Sequence, residues 1–263
     1  MSSGALEEHQ YKPFSLKGRT ALVTGASGGL GERFARVLAE AGAAVALAAR
    51  REPQLEDIAN NIRERGGKAV TCALDVGDAR ALDTAVQSLE DSLGVVDILV
   101  NNAGVPGLPM SAEPDFEDID RLLAVNIRAP YLLSLAVGKR LIRAGMPGNI
   151  VNIASIGALS YTPGTRQVLY CASKSALLRM TETLSVEWAR EGINVNAIAP
   201  GLFRSQMSAP YLASMGDRMV EKFPRKRVCE PSQLDSTLLY LVSASSGAVT
   251  GACIRVNDAQ HAI

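Results

Sequence analysis

Short apolar runs alternate along the chain with longer segments whose apolar positions recur three and four residues apart. Thr20–Thr24, Ala44–Ala49, Ala69–Leu74, Asp97–Val100, Ile150–Ala154, Asn194–Ala199 and Ala252–Val256 read as strands. Most are apolar on both alternating faces, as strands in the middle of a covered parallel sheet are. Between them the helical period predicts helices over Gly29–Ala41, Pro53–Arg65, Asp78–Leu93, Phe116–Ala144, Tyr170–Glu191 and Pro231–Ser243. Seven strands alternating with six helices predict an α/β fold, one doubly wound parallel sheet with helices on both faces.

Two places depart from the alternation. Pro130 falls inside the long fourth helix, where its missing backbone donor is expected to distort the ladder just after Asn126. The stretch Leu202–Phe223 mixes Phe203, Met207, Tyr211, Met215, Met219 and Phe223 with Gly, Ser and Pro, and reads equally as a mobile apolar flap or a short packed helix. No Pro/Gly/Ser linker or charge block divides the rest. The expected organisation is an N-terminal arm over 1–17 and one domain over 18–263, with 202–223 as a flap within it.

Composition narrows the function. Hydrophobic residues make up 47% of the 263, enough for a packed core, and 27 basic residues balance 27 acidic ones. No basic field is available to hold nucleic acid or an anionic membrane, so a small-molecule partner is expected. Cys72, Cys171, Cys229 and Cys253 are scattered, and the two histidines, His9 and His261, lie near the ends. No metal site is expected from that spacing, and unpaired thiols fit the cytoplasm. The polar N-terminus lacks the apolar core of a signal peptide, and no apolar run reaches membrane length.

The first strand runs into Thr24-Gly25-Ala26-Ser27-Gly28-Gly29-Leu30-Gly31 and then a helix. Glycines let the backbone approach a ligand, and a helix N-terminus offers unpaired amides to a pyrophosphate. No Gly-Lys-Ser/Thr follows, so a dinucleotide is expected rather than a P-loop triphosphate. The second strand ends in Arg50-Arg51, where a carboxylate would select an unphosphorylated ribose. Guanidinium groups there favour a 2′-phosphate, hence NADP(H) over NAD(H). Tyr170 and Lys174 are one helical turn apart, and Ser155 follows the fifth strand, where the strand ends of a parallel sheet converge on a ligand crevice. A nearby cation is expected to lower the phenol pKa of Tyr170.

With these motifs in order, the chain resembles the short-chain dehydrogenase/reductase family over essentially its whole globular length. Thr24–Gly31 matches the family's TGxxxGxG, Asn101-Asn102-Ala103-Gly104 its NNAG, and Tyr170 to Lys174 its YxxxK. Asn126, Ser155 and Pro200-Gly201 complete the set, Asp75-Val76 resembles the adenine-binding pair, and Ser205 stands where members place a Thr or Ser against the nicotinamide amide.

The resemblance implies a Rossmann fold and a hydride transfer between nicotinamide and a ketone or secondary alcohol. It implies catalysis by Asn126, Ser155, Tyr170 and Lys174, with cofactor contacts from Gly25, Ser27, Gly29, Leu30, Gly31, Arg50, Arg51, Asp75, Val76, Asn102, Ala103, Gly104, Pro200, Gly201 and Ser205. In the implied roles Ser155 orients the substrate oxygen, Tyr170 protonates it, Lys174 holds the nicotinamide ribose, and Asn126 holds a water. It also implies a homotetramer, or a homodimer, paired through the long helix and the Tyr170 helix. Outward-capable Leu132, Leu133, Leu135, Val137, Leu177, Leu178, Leu184 and Trp188 are the expected contacts.

The chain departs from the pattern of the family it resembles in four places. Carrier-protein reductases of the family place arginines where this chain has Met146 and Glu191, so an acidic carrier is disfavoured and a 3-oxoacyl thioester reductase is the alternative. Gly28 replaces an arginine common in NADP-dependent members, and Val256-Asn257-Asp258-Ala259 replaces the usual VDGG. A non-catalytic NADP(H)-sensing regulator would not need the complete tetrad.

Overall fold

A computed structural model describes residues 14–107, 115–160, 167–215 and 220–260. The strands are β1 (Thr20–Thr24), β2 (Ala44–Ala49), β3 (Lys68–Ala73), β4 (Ile98–Asn101), β5 (Gly148–Ile153), β6 (Ile193–Pro200) and β7 (Cys253–Val256). They form one sheet in the order β3-β2-β1-β4-β5-β6-β7, and every pairing is parallel. This is the doubly wound Rossmann arrangement the alternation predicts.

Alternate residues of each strand feed two apolar layers. Ala21 and Val23 of β1, with Ile98 and Val100 of β4, pack under α1 (Gly29–Glu40) and α2 (Glu52–Glu64) on one face. Leu22 and Leu99 pack on the other, under α3 (Ala81–Leu93), α5 (Ala129–Ala144) and α6 (Val168–Glu187). The last helix, α8 (Asp235–Val242), preceded by a 3-10 turn at Pro231–Leu234, returns to the first face beside α1. Leu16, at the end of the expected arm, is fully buried, and its amide donates to the Ala41 carbonyl (2.8 Å). Residues 1–13, with His9, and residues 261–263, with His261, lie outside the described residues.

The long helix is not continuous. α4 (Phe116–Leu123) passes through a π-helical turn at Ala124–Arg128 before α5. The widened turn absorbs Pro130, which cannot donate to the Asn126 carbonyl four residues earlier. The stretch after β6 carries a short helix, α7 (Ala209–Met215), between two buried anchors, Phe203 and Phe223; Met219 lies outside the described residues.

The expected intersubunit residues need correction. Leu133, Val137, Leu177, Leu184 and Trp188 are buried within the chain, and Leu132, Leu135 and Leu178 are half-buried. The reason is close packing of α5 on the α6 end: a Cβ on Gly138 would stand 2.9 Å from the Trp188 ring, so the indole fills the space that glycine leaves. The exposed apolar side chains near these helices are Phe116, Tyr131, Ile142, Val168 and Val186. Among the described residues no helix is long and apolar enough to cross a membrane.

Candidate active site

The C-terminal ends of the parallel strands open at one edge of the sheet, and the strand order reverses between β1 and β4. Such a switch point leaves a crevice between diverging loops. Thr24, the last residue of β1, ties the two sides together. Its hydroxyl donates to Val100 O (3.3 Å) and accepts from the amides of Asn102 and Ala103 (3.1 Å each), while Asn102 Nδ2 donates to Thr24 O (2.8 Å). The β1 and β4 loops therefore approach closely. A Cβ on Gly25, whose φ is 66°, would sit 2.9 Å from Ala103 Cα, and one on Gly31 would sit 2.2 Å from Gly25 O. Any larger residue at either position displaces backbone.

α1 begins at this loop with Gly28 as its cap and no side-chain cap bond. Its first-turn amides are thus left to solvent or an anion. Leu30 is partly buried against the core, and Ser205 Cβ would stand 3.3 Å from a Cβ on Gly29. Arg51 reaches back across the loop: its guanidinium donates to Ser27 Oγ (3.1 Å), Ser27 O (3.1 Å) and Gln206 Oε1 (2.8 Å). Arg50 is exposed beside it. Gln206 was not singled out by the sequence, because nothing in its local pattern reveals a partner so distant in the chain.

At the β3 end, Asp75 accepts from Arg121 Nη1 (3.0 Å), Arg121 Nη2 (3.2 Å) and the Gly77 amide (2.9 Å). Burial alone would raise its carboxyl pKa, but these hydrogen bonds and the charges of Arg121 and Arg50 hold it below the ordinary value. Val76 is buried in the second apolar layer. Arg121 is a second residue the sequence did not single out.

The tetrad gathers at the ends of β4 and β5. Lys174 is buried, its Nζ donates to Ile153 O (2.8 Å) and lies 5.8 Å from the centre of the Tyr170 ring. Burial pulls its pKa down to about 8. Asn126, in the π turn, is fully buried; its Oδ1 accepts from Val105 N (2.9 Å), and its Nδ2 donates to Val105 O (3.1 Å) and Ser173 Oγ (3.2 Å). Ser173 in turn donates to Tyr170 O (2.7 Å). The Asn126 amide is therefore committed to holding the Gly104–Val105 loop against α6.

Ser155 follows β5 in extended conformation and its Oγ accepts from Gly157 N (3.1 Å), capping a 3-10 turn at Ile156–Ala158. The Tyr170 phenol lies opposite to expectation. Burial raises its pKa, outweighing the lowering by the Ser155 hydroxyl. The Tyr170 phenol is thus protonated at neutral pH. Gly104 faces the group from β4: a Cβ there would stand 3.5 Å from Asn126 Oδ1 and 3.6 Å from Lys174 Nζ.

Residues 19–215 match the family model described as short chain dehydrogenase. The chain belongs to that family. It is an oxidoreductase acting on CH–OH groups, as its relatives are. The gluconate 5-dehydrogenase of Gluconobacter oxydans is 34% identical over 93% of this chain and 95% of its own. A 3-oxoacyl-(acyl-carrier-protein) reductase of Rickettsia conorii is 33% identical over 92% and 96%. The crystal structure of a gluconate 5-dehydrogenase from Burkholderia cenocepacia, in complex with NADP and tartrate, superposes with a TM-score of 0.86 at 32% identity, covering 94% and 96%.

Proposed function

We propose that the protein is an NADP(H)-dependent carbonyl reductase and secondary-alcohol dehydrogenase in which Tyr170 moves the proton. One observation carries this reading: Lys174 is buried with a single recorded acceptor among the described residues, Ile153 O, beside Tyr170 and the open face of Gly104. An ammonium carries three donors, so two remain for ribose hydroxyls. The uncapped α1 amides fit a pyrophosphate, and Arg50 and Arg51 fit a 2′-phosphate. That the Burkholderia relative holds NADP agrees with this preference.

A nicotinamide held in this crevice would supply or accept the hydride. Ser155 holds the substrate oxygen, and the Tyr170 phenol donates its proton to the charge that builds there during reduction. Lys174 fixes the ribose and, once paired with its hydroxyls, is held charged near Tyr170. The Asn126 carbonyl holds the water through which the proton is replaced. Asp75 and Val76 would hold the adenine, Asn102, Ala103 and Gly104 the middle of the cofactor, and Pro200, Gly201 and Ser205 its nicotinamide end. The described parts of the flap, 202–215 and 220–223, would cover the substrate. Placement in the cytoplasm and assembly as a homotetramer belong to the same reading, supported by four unpaired thiols and by the exposed apolar residues along α4, α5 and α6.

A 3-oxoacyl thioester reductase is the second reading, favoured by the Rickettsia relative and opposed by Glu191, which is exposed where an acidic carrier would dock. One NADPH-oxidation assay comparing simple ketones, a keto-sugar acid, acetoacetyl-CoA and an acyl-carrier thioester separates them. Turnover of a ketone or keto acid with the carrier thioester inactive is expected. NADPH binding without turnover of any would favour a sensing role.

A further inference from the structure

Two consecutive non-glycine residues near the C-terminus adopt left-handed backbone, Asp258 (φ 50°) and Ala259 (φ 59°). Side chains disfavour this region. Such a conformation persists where surrounding contacts over-determine it.

The contacts are specific. The Asp258 carboxylate, 10% exposed, accepts from Arg227 Nε (2.6 Å) and Nη2 (3.0 Å) and from Arg225 Nη1 (3.0 Å). Gln260, buried, accepts from the Leu202 amide (2.6 Å) through Oε1 and donates through Nε2 to Leu202 O (3.1 Å) and Cys229 Sγ (3.4 Å). Gly201 leaves room for this: a Cβ there would stand 2.3 Å from Gln260 Oε1 and 2.9 Å from Asn257 Cα. The two ends of the stretch are also joined directly, Arg204 N to Cys229 O (2.9 Å) and Cys229 N to Leu202 O (3.1 Å). The turn 257–260 therefore grips the stretch where it leaves β6 and where it returns.

We propose that Asp258 and Gln260 are positioning residues for the two described ends, 202–215 and 220–229, of the segment between Leu202 and Cys229. They set the placement of Ser205 above the glycine-rich loop, and so the affinity for the nicotinamide end of the cofactor and for substrate. The inference rests on the reading of that segment as the substrate cover. Gln260 fixes its entrance through both backbone groups of Leu202, three residues before Ser205. Asp258 fixes its exit by pairing two arginines in a partly enclosed site, where the attraction is screened less than at an open surface.

The test is chymotrypsin digestion of the full-length protein, reading cleavage after Tyr211, Leu212 and Phe223 by mass spectrometry, with thermal melting and NADPH fluorescence titration alongside. Asp258→Gly removes the carboxylate while relieving the left-handed strain, so a turn with only a local structural role would leave cleavage unchanged. Asp258→Gly, Asp258→Asn and Gln260→Ala are expected to raise the cleavage rate at least about five-fold, with melting midpoints held near wild type and NADPH binding weakened. Unchanged cleavage in both Asp258→Gly and Gln260→Ala overturns the proposal, as does cleavage that rises only in step with a lowered melting midpoint. Digestion needs neither cofactor nor turnover, so its outcome is separate from that of the oxidoreductase reading.

Discussion

Lys174 Nζ donates a 2.8 Å hydrogen bond to the carbonyl oxygen of Ile153, the last residue of β5, and is buried there. An ammonium placed so is stabilised by one strand-end dipole and penalised by lost hydration, which brings its pKa from 10.5 to about 8. The site thus holds a cation whose charge is completed by a ligand.

That depression gives a signature in the cofactor-free protein. The unfolded chain binds more protons than the native one between the two pKa values, so stability rises with pH across the window. The contribution is complete above about 10.5 and is lost as pH falls to about 8, on the order of 3 kcal/mol in all. Urea unfolding of wild type and Lys174→Met across pH 7.5–10.5 is expected to show a stability difference that moves in favour of wild type as pH rises. A pH-independent difference would place the Lys174 pKa elsewhere.

Arg51 spans Ser27 and Gln206, whereas Arg50 stands exposed beside it. Charge-assisted hydrogen bonds to a phosphate contribute about 1.5–3 kcal/mol each, so Arg51→Ala is expected to weaken NADPH binding by about ten- to hundred-fold while leaving NADH nearly unchanged. Arg50→Asp is expected to shift the kcat/KM ratio toward NADH by adding a ribose acceptor and removing a cation. An unchanged ratio in both variants refutes 2′-phosphate recognition at the end of β2.

Assembly is checked by light scattering at micromolar concentration. The exposed Phe116, Tyr131, Ile142, Val168 and Val186 are expected to be covered in a homotetramer near four times the 27.8 kDa chain mass. Val186→Glu is expected to dissociate it. A fully active species near the chain mass contradicts the assembly.

Much of the fold was legible because the central strands of a covered parallel sheet are apolar on both faces, so most of the seven runs stood out from their polar turns. Pro130 announced a distortion at Asn126, which the π turn realises. What the pattern could not supply was partner choice. The buried amide ladder from Asn101 Nδ2 to Asn152 Oδ1 (2.9 Å) and from Asn152 Nδ2 to Thr181 Oγ1 (2.9 Å) joins three elements with no local signal. Trp188 and Leu184 read as outward-capable because helical period does not say which side a neighbouring helix occupies, and Gly138 draws the indole inward. The Tyr170 shift was misjudged for a related reason: one turn of helix brings Lys174 within 5.8 Å of the ring, but only the folded chain reveals that both groups are desolvated together.

Tyr170→Phe tests the central claim most directly, because it keeps the ring and deletes only the proton donor. Measured by NADPH oxidation with the best carbonyl from the panel, its kcat is expected to fall by about 10²–10⁴-fold, the usual contribution of general acid–base catalysis, while NADPH affinity stays within about two-fold. Near-normal turnover in that variant would contradict Tyr170 as the proton donor and, with it, the hydride-transfer site assembled around Lys174.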